Sequence, residues 1–290
     1  MFWSKQTFQA QDIPDLTNKV AIVTRSTGGI GKASALELAR KNCTVIVAAR
    51  NKTQAEATIE EIRKETKNDE VEFIEIDLCS LASVKKFADD FKSRHDKLHM
   101  LLNNADVLST PFRLTEGGKC IEMQMATNHV AHYYLTMLLQ PVLENSAPSR
   151  VIVVSSEAHR FLSFTGFNCD KLNDDKGYSA IWQYGYTKAA NIMFTIELAR
   201  PLKPKGLCQY TTPRNCEDIN AAKARIYFGS FLVLLAYYGG GKDHCRYYVP
   251  VGHQSSPSSV VTSEKNIAKL WEWTEDILKV KAPDYEGSPV

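Results

Sequence analysis

The sequence predicts an α/β domain with a doubly wound parallel sheet flanked by helices on both faces. Two observations carry this. Short β-branched runs alternate with helical spacing as far as Ser155, and a glycine-rich turn follows the first run directly. A third supports it: the runs Val20–Thr24, Thr44–Ala49, Val71–Ile76, Leu98–Asn103 and Arg150–Ser155 show little polar alternation. Strands that read this way are buried on both faces, as in sheets covered by crossover helices.

Each intervening segment places its apolar residues on one helical face. Ile30–Lys41 does so with Ile30, Ala33, Leu36 and Leu38; Thr53–Thr66 reads similarly; Ser80–His95 uses Leu81, Val84, Phe87, Ala88 and Phe91. After Ser155 the pattern loosens. A polar loop leads to a long helix over Ser179–Arg200, stopped by Pro201. Leu207–Thr211 and Tyr247–Val251 are candidate strands, and Thr262–Val280 is a closing helix. No repeat or linker divides residues 1–290, so a single domain is expected, with a lid over 218–240. Within that lid, Ile226–Tyr238 is apolar and reads as a helix over a greasy pocket. At about 20 Å it is too short to cross a hydrocarbon core of about 30 Å. At most it makes peripheral membrane contact.

Composition narrows the partners. A net charge of +2 over 290 residues gives no field for nucleic acid, and 44% hydrophobic content is ordinary for a globular protein. Seven cysteines without a C-x-x-C pair argue against a disulfide framework and for a reducing compartment, hence a cytoplasmic location. Residues 1–16 carry no apolar run of the kind found in signal peptides. His129, His132 and His159 lack carboxylate or cysteine neighbours at ligand spacing, so no metal is expected.

The turn Thr24-Arg25-Ser26-Thr27-Gly28-Gly29-Ile30-Gly31-Lys32 opens a helix after the first strand. Such a turn offers backbone N–H groups and a positive helix end to a pyrophosphate. At the end of the second strand stands Arg50, with no carboxylate nearby. An arginine here accommodates a 2′-phosphate, whereas an acidic residue would bind a free ribose hydroxyl, so NADP(H) is favoured over NAD(H). Lys32 adds a second cation. Farther on, Tyr184 and Lys188 lie four apart within the long helix and so address one ligand together.

These segments resemble the short-chain dehydrogenase/reductase family, whose fold is Rossmann-type. Thr24, Gly29 and Gly31 match its glycine turn, Asp77-Leu78 its adenine contact and Asn103-Asn104-Ala105 its N-N-A-G. Asn128, Ser156, Tyr184 and Lys188 match its catalytic set in the family's order. The resemblance implies Tyr184 as acid–base, Lys188 as its tuner and a ribose contact, Ser156 as a substrate-oxygen ligand and Asn128 as the holder of a relay water. A neighbouring ammonium is expected to lower the phenol pKa. Ser155 could exchange roles with Ser156, but alternation along the strand lets only one face the site. Ser-Ser-Glu-Ala-His-Arg after the fifth strand and Tyr247-Tyr-Val-Pro-Val-Gly resemble the retinol-dehydrogenase-like branch. That implies a small hydrophobic alcohol or carbonyl substrate, and homodimerisation through the helices that hold Asn128 and Tyr184.

Three family glycines are replaced by charge, at Arg25, Asp106 and Arg214, the last after Pro213, which the family sets beside the nicotinamide. Glycine serves such places where the backbone is left-handed or a ligand comes close. Between Gly239 and Tyr247 the chain is also too short for the helix that the family has there. Two readings follow from this combination. One is an NADP-dependent oxidoreductase; the other is a degenerate, non-catalytic relative acting as a binding protein.

Overall fold

A computed structural model describes residues 10–115, 121–199, 231–238, 246–249, 253–254, 256–282 and 284–288. The strand-and-helix alternation forms as expected: β1 (Val20–Thr24), α1 (Gly29–Arg40), β2 (Thr44–Ala49), α2 (Lys52–Thr66), β3 (Val71–Glu75), α3 (Leu81–Arg94) and β4 (Met100–Asn103). A nearly continuous helical stretch follows, with α4 (Met123–Met125), a π-turn over Ala126–Val130 and α5 (Ala131–Asn145). Then come β5 (Ser149–Ser156), the short α6 (Leu162–Thr165) and α7 (Ala180–Leu198). Three more strands, β6 (Phe231–Tyr238), β7 (Arg246–Val249) and β8 (His253–Gln254), precede α8 (Glu264–Lys281).

The sheet order is β3-β2-β1-β4-β5-β6-β7-β8. Its first five strands are parallel, and chain reversal between β3 and β4 leaves a crevice at the carboxyl ends of β1 and β4. Ile22, Ile46 and Leu101 point to one face, into the cluster with α3, α5 and α7; Ala21, Val23, Val45 and Val47 point to the other, under α1 and α2. The strict face alternation along each strand is what lets one run serve two cores.

One segment departs from expectation. Phe231–Tyr238, read as part of a lid helix, is a strand that runs antiparallel along the whole of β5, from Ser156↔Phe231 to Ser149↔Tyr238. Eight residues rich in branched and aromatic side chains suit an extended run as well as a helix, and an unpaired β5 edge decides between them. The remainder of 218–240, the candidate strand Leu207–Thr211, Pro213, Arg214 and the short connection after Gly239 lie outside the described residues.

Buried polar contacts tie the layers together. His99 Nδ1 accepts from the Val20 amide at 3.1 Å, joining β1 to the start of β4. His132 on α5 touches Thr24 Oγ1 at 3.0 Å and the Asn128 carbonyl at 3.2 Å. Thr24 Oγ1 in turn accepts from the Asn104 and Ala105 amides, both at 2.9 Å. A neutral imidazole satisfies this arrangement, donating from Nδ1 and accepting at Nε2. Burial lowers the imidazole pKa of His99 to about 4, of His129 to about 3 and of His132 to about 4.

Two tests of the fold follow. The unfolded chain takes up protons on these imidazoles near 6.5, while the folded one does so only near 4 or below. Stability is therefore full above about pH 7 and falls as pH drops through that window. The urea midpoint at pH 5.5 should lie below that at pH 7.5, and the unfolding free energy should be lower by about 1–2 kcal/mol for each of the fully buried His129 and His132. Identical midpoints would contradict the neutral pairing. In the second test, a Cβ added at Gly31 would sit 2.4 Å from the Arg25 carbonyl oxygen and 2.6 Å from Asn104 Nδ2. Gly31→Ala should cost about 1–3 kcal/mol in urea denaturation through this overpacking.

Candidate active site

The glycine turn lies at the crevice. Gly29 has φ +54°, and Gly28 caps α1 with no side-chain hydrogen bond, so the cap residue itself puts no side chain over the first amides of that helix. Arg25, where the family has glycine, is also left-handed at φ +53°. For a residue with a Cβ this costs about 1–2 kcal/mol. Ser26 is buried and donates to the Val23 carbonyl at 2.9 Å, closing the turn, while Thr27 is partly exposed. Ile30 is half-buried on the first turn of α1. Asn104 fixes the other wall by donating to the Thr24 carbonyl at 2.8 Å.

Of the expected phosphate cations, the structure leaves one toward solvent and pairs the other. Arg50 is exposed just beyond β2, and Asn51 beside it caps α2 by accepting from the Gln54 amide at 2.9 Å. Lys32 forms an ion pair with Glu61 of α2 at 2.6 Å. At the next strand end, Asp77 Oδ1 accepts from the Cys79 amide at 2.9 Å and Ser80 caps α3, so the cap belongs to Ser80. Leu78 and Ala105 are buried beside this edge.

At the carboxyl end of β5 the two serines part. Ser155 Oγ donates to the Lys188 carbonyl at 2.7 Å, locking α7 to the sheet, whereas Ser156 hydrogen-bonds the Tyr184 side chain. Tyr184 and Lys188 share the face of α7 toward β5, and Lys188 Nζ lies 5.1 Å from the Tyr184 ring centre. Tyr186 turns away and packs on Phe167. Asn128, in the π-turn, spends its side chain on the loop after β4 and on α7. Its Oδ1 accepts from the Val107 amide at 2.8 Å, and its Nδ2 donates to the Val107 carbonyl at 2.9 Å and to Thr187 Oγ1 at 3.1 Å. Ser156, Tyr184 and Lys188 thus meet at one corner of the crevice, while the Asn128 side chain is held by Val107 and Thr187.

Asp106 joins them. Its Oδ2 lies 3.0 Å from Lys188 Nζ and accepts from the Tyr184 hydroxyl at 3.1 Å, while Oδ1 accepts from Arg25 Nη1 at 2.9 Å. Burial alone would raise the Asp106 carboxyl, but the Lys188 ammonium and the Tyr184 hydroxyl outweigh it and hold the pKa low. Burial lowers the Lys188 pKa, with Asp106 opposing. The Tyr184 phenol is raised, first by burial and then by the Asp106 charge. This reverses the expectation that Lys188 lowers it, because burial penalises the phenolate and the Asp106 carboxylate, which contacts both groups, adds to that penalty. In the sequence Arg25 and Asp106 stand as two separate departures from the family's glycines. Their opposite charges at two facing loop positions were the signal that they form a pair.

A second polar cluster escaped the sequence reading. Glu122 is fully buried, caps α4 through the Gln124 and Met125 amides at 3.0 and 2.9 Å, and accepts from Tyr178 and Gln183 at 3.0 and 2.9 Å. It braces the start of α7, and so the approach to Tyr184. No periodic pattern marks a lone glutamate as a cap whose partners lie far along the chain.

Among the described residues, no helix is long and apolar enough to cross a membrane. Comparison with known proteins agrees with the sheet order and the turn. A family model described as short chain dehydrogenase matches residues 19–169. An uncharacterized oxidoreductase of Schizosaccharomyces pombe is 38% identical over 203 residues, covering 68% of this chain and 59% of its own length. Retinol dehydrogenase 12 of Mus musculus is 38% identical over 195 residues, with 67% and 60% covered. WW domain-containing oxidoreductase of Danio rerio is 41% identical over 200 residues, with 67% and 48% covered. The chain therefore matches only about half to three-fifths of the length of these curated relatives. Among solved structures, an uncharacterized protein from Mycobacterium paratuberculosis superposes with a TM-score of 0.72 at 29% identity, over 95% of this chain and 99% of that one. A short chain dehydrogenase from Escherichia coli CFT073, complexed with NADPH, shares the fold with a TM-score of 0.52 at 23% identity, over 66% and 74%. With its family match running from the start of β1 past the end of β5, and relatives of this kind, the chain belongs to the short chain dehydrogenase family, in its retinol-dehydrogenase-like branch.

Proposed function

We propose that this chain is an NADP-dependent oxidoreductase that interconverts a hydrophobic alcohol and its aldehyde or ketone, with Tyr184 as acid–base. The observation that carries the reading is the meeting of the Ser156, Tyr184 and Lys188 side chains at the carboxyl end of β5, across the crevice from the glycine turn. The family works with nicotinamide cofactors, and the turn fits such a group at its phosphate end. A Cβ built at Gly28 or Gly29 meets nothing within 4 Å, so the bare helix end has room for a phosphate. The nicotinamide, when bound, donates or accepts the hydride.

The chain's own residues handle the proton. During reduction the carbonyl oxygen gains negative charge, Ser156 hydrogen-bonds it, and the Tyr184 hydroxyl gives it a proton. Lys188, 5.1 Å from the Tyr184 ring centre, favours the phenolate that remains once Asp106 no longer engages the two groups. In the oxidation direction the same phenolate takes the proton from the alcohol. Arg50, exposed with no carboxylate at the end of β2, supports a 2′-phosphate and hence NADP(H). The retinol dehydrogenases among its relatives support a hydrophobic substrate. Exposed Phe161, Phe164, Ile181 and Trp182, on the segments that flank Tyr184, are consistent with an apolar approach.

Titration with NADPH and NADH, followed by turnover on a panel of apolar aldehydes, tests this. NADPH should bind more tightly, and Arg50→Ala should weaken it by about ten-fold with little effect on NADH. Tyr184→Phe should lower turnover by about 10²–10⁴-fold and leave NADPH affinity within about three-fold. Full turnover in that variant would refute the assignment of Tyr184. No NADPH binding at millimolar concentration would favour a non-catalytic relative.

A further inference from the structure

The Arg25–Asp106 pair goes beyond that reading and rests on it, in that Lys188 and Tyr184 are taken to face the nicotinamide ribose and the substrate. One carboxylate oxygen occupies both groups at once, 3.0 Å from Lys188 Nζ and 3.1 Å from the Tyr184 hydroxyl. A phenol has a single proton to donate, so while Asp106 accepts it no substrate oxygen can. The fully buried Lys188 likewise directs its charge at Asp106.

Asp106 is held there from the other side. Arg25 Nη1 donates both to Asp106 Oδ1 at 2.9 Å and to the Asp106 carbonyl at 3.0 Å. Arg25 itself stands in the phosphate turn, and its side chain is 61% exposed. A guanidinium binds phosphate through paired donors at least as well as it binds one carboxylate oxygen, so an anion arriving over α1 competes with Asp106 for Arg25. We propose that Arg25 and Asp106 form a latch across the nucleotide site: the carboxylate keeps Lys188 and Tyr184 occupied, and a phosphate group opens the site by drawing Arg25 away. Two substitutions that each look harmful to cofactor binding thereby act as one device.

Calorimetric titration with two probes tests the latch. NADPH reaches from the turn to Lys188, whereas 2′,5′-ADP carries only the adenosine half. Asp106→Asn and Asp106→Gly should each tighten NADPH by about ten-fold or more. The same variants should tighten 2′,5′-ADP, whose 5′-phosphate meets Arg25 but which does not reach Lys188, by clearly less than they tighten NADPH, which separates the latch from a general change in the fold. Arg25→Ala should weaken NADPH more in the Asp106→Gly background than in the wild type, where it also loosens the latch. Equal NADPH affinity in the wild type and both Asp106 variants would overturn the latch while leaving the proposed function standing. A strictly additive cycle would remove Arg25 from it. NADPH binding to none of the three proteins would overturn the proposed function and the latch together.

Discussion

A positive charge buried at the heart of the molecule sets the terms for the rest of this structure. Lys188 has no exposure, and among the described residues its ammonium reaches the Val154 carbonyl at 3.4 Å and Asp106 at 3.0 Å. Taking an ammonium out of water costs several kcal/mol, and removing a partner from a buried pair costs about 3–5 kcal/mol. Here the loop after β4 brings the Asp106 carboxylate to Lys188, and a second group holds that carboxylate in place. Arg25 does so from β1's end at the expense of a left-handed backbone. The glycine turn, the loop after β4 and Tyr184 are thus joined through one buried ion pair.

The same helix depends on the sheet in a second way. Ser155 binds the Lys188 carbonyl, Asn191 donates to the Val154 carbonyl at 3.1 Å, and Asn128 reaches Thr187. Three buried polar contacts thus fix the rotation of α7 about its own axis, where apolar packing alone would leave it free to slip. That rotation aims Tyr184 rather than Tyr186 at the crevice. The His132 bridge between Thr24 and Asn128 links the phosphate turn to the same corner through the interior. The glycine turn and Tyr184 are accordingly joined by one buried polar network rather than being neighbours on separate loops.

Much of the fold was legible because its causes are local. Strands at Val20–Thr24 and Thr44–Ala49, and the amphipathic helices between them, follow from burial on both faces and from 3.6-residue spacing. The choice between Ser155 and Ser156 could be framed from alternation alone. Phe231–Tyr238 was read as a helix because an apolar run carries no period to decide the matter. Its strand form comes from pairing with β5, a contact between segments far apart in the chain.

What the sequence determined by itself, then, was the order of the elements and the chemical types present at each strand end: amides at the turn, a phenol and an ammonium on one helix face, a serine on β5. These depend on steric and hydrophobic rules that act over a few residues. Only the tertiary structure decided which charges meet. Asp106 is a charged replacement of a family glycine in the sequence, and in the fold it faces Lys188 and Arg25. Coulomb energy depends on distance and dielectric, and both are set when β1, the loop after β4 and α7 close around the same buried corner.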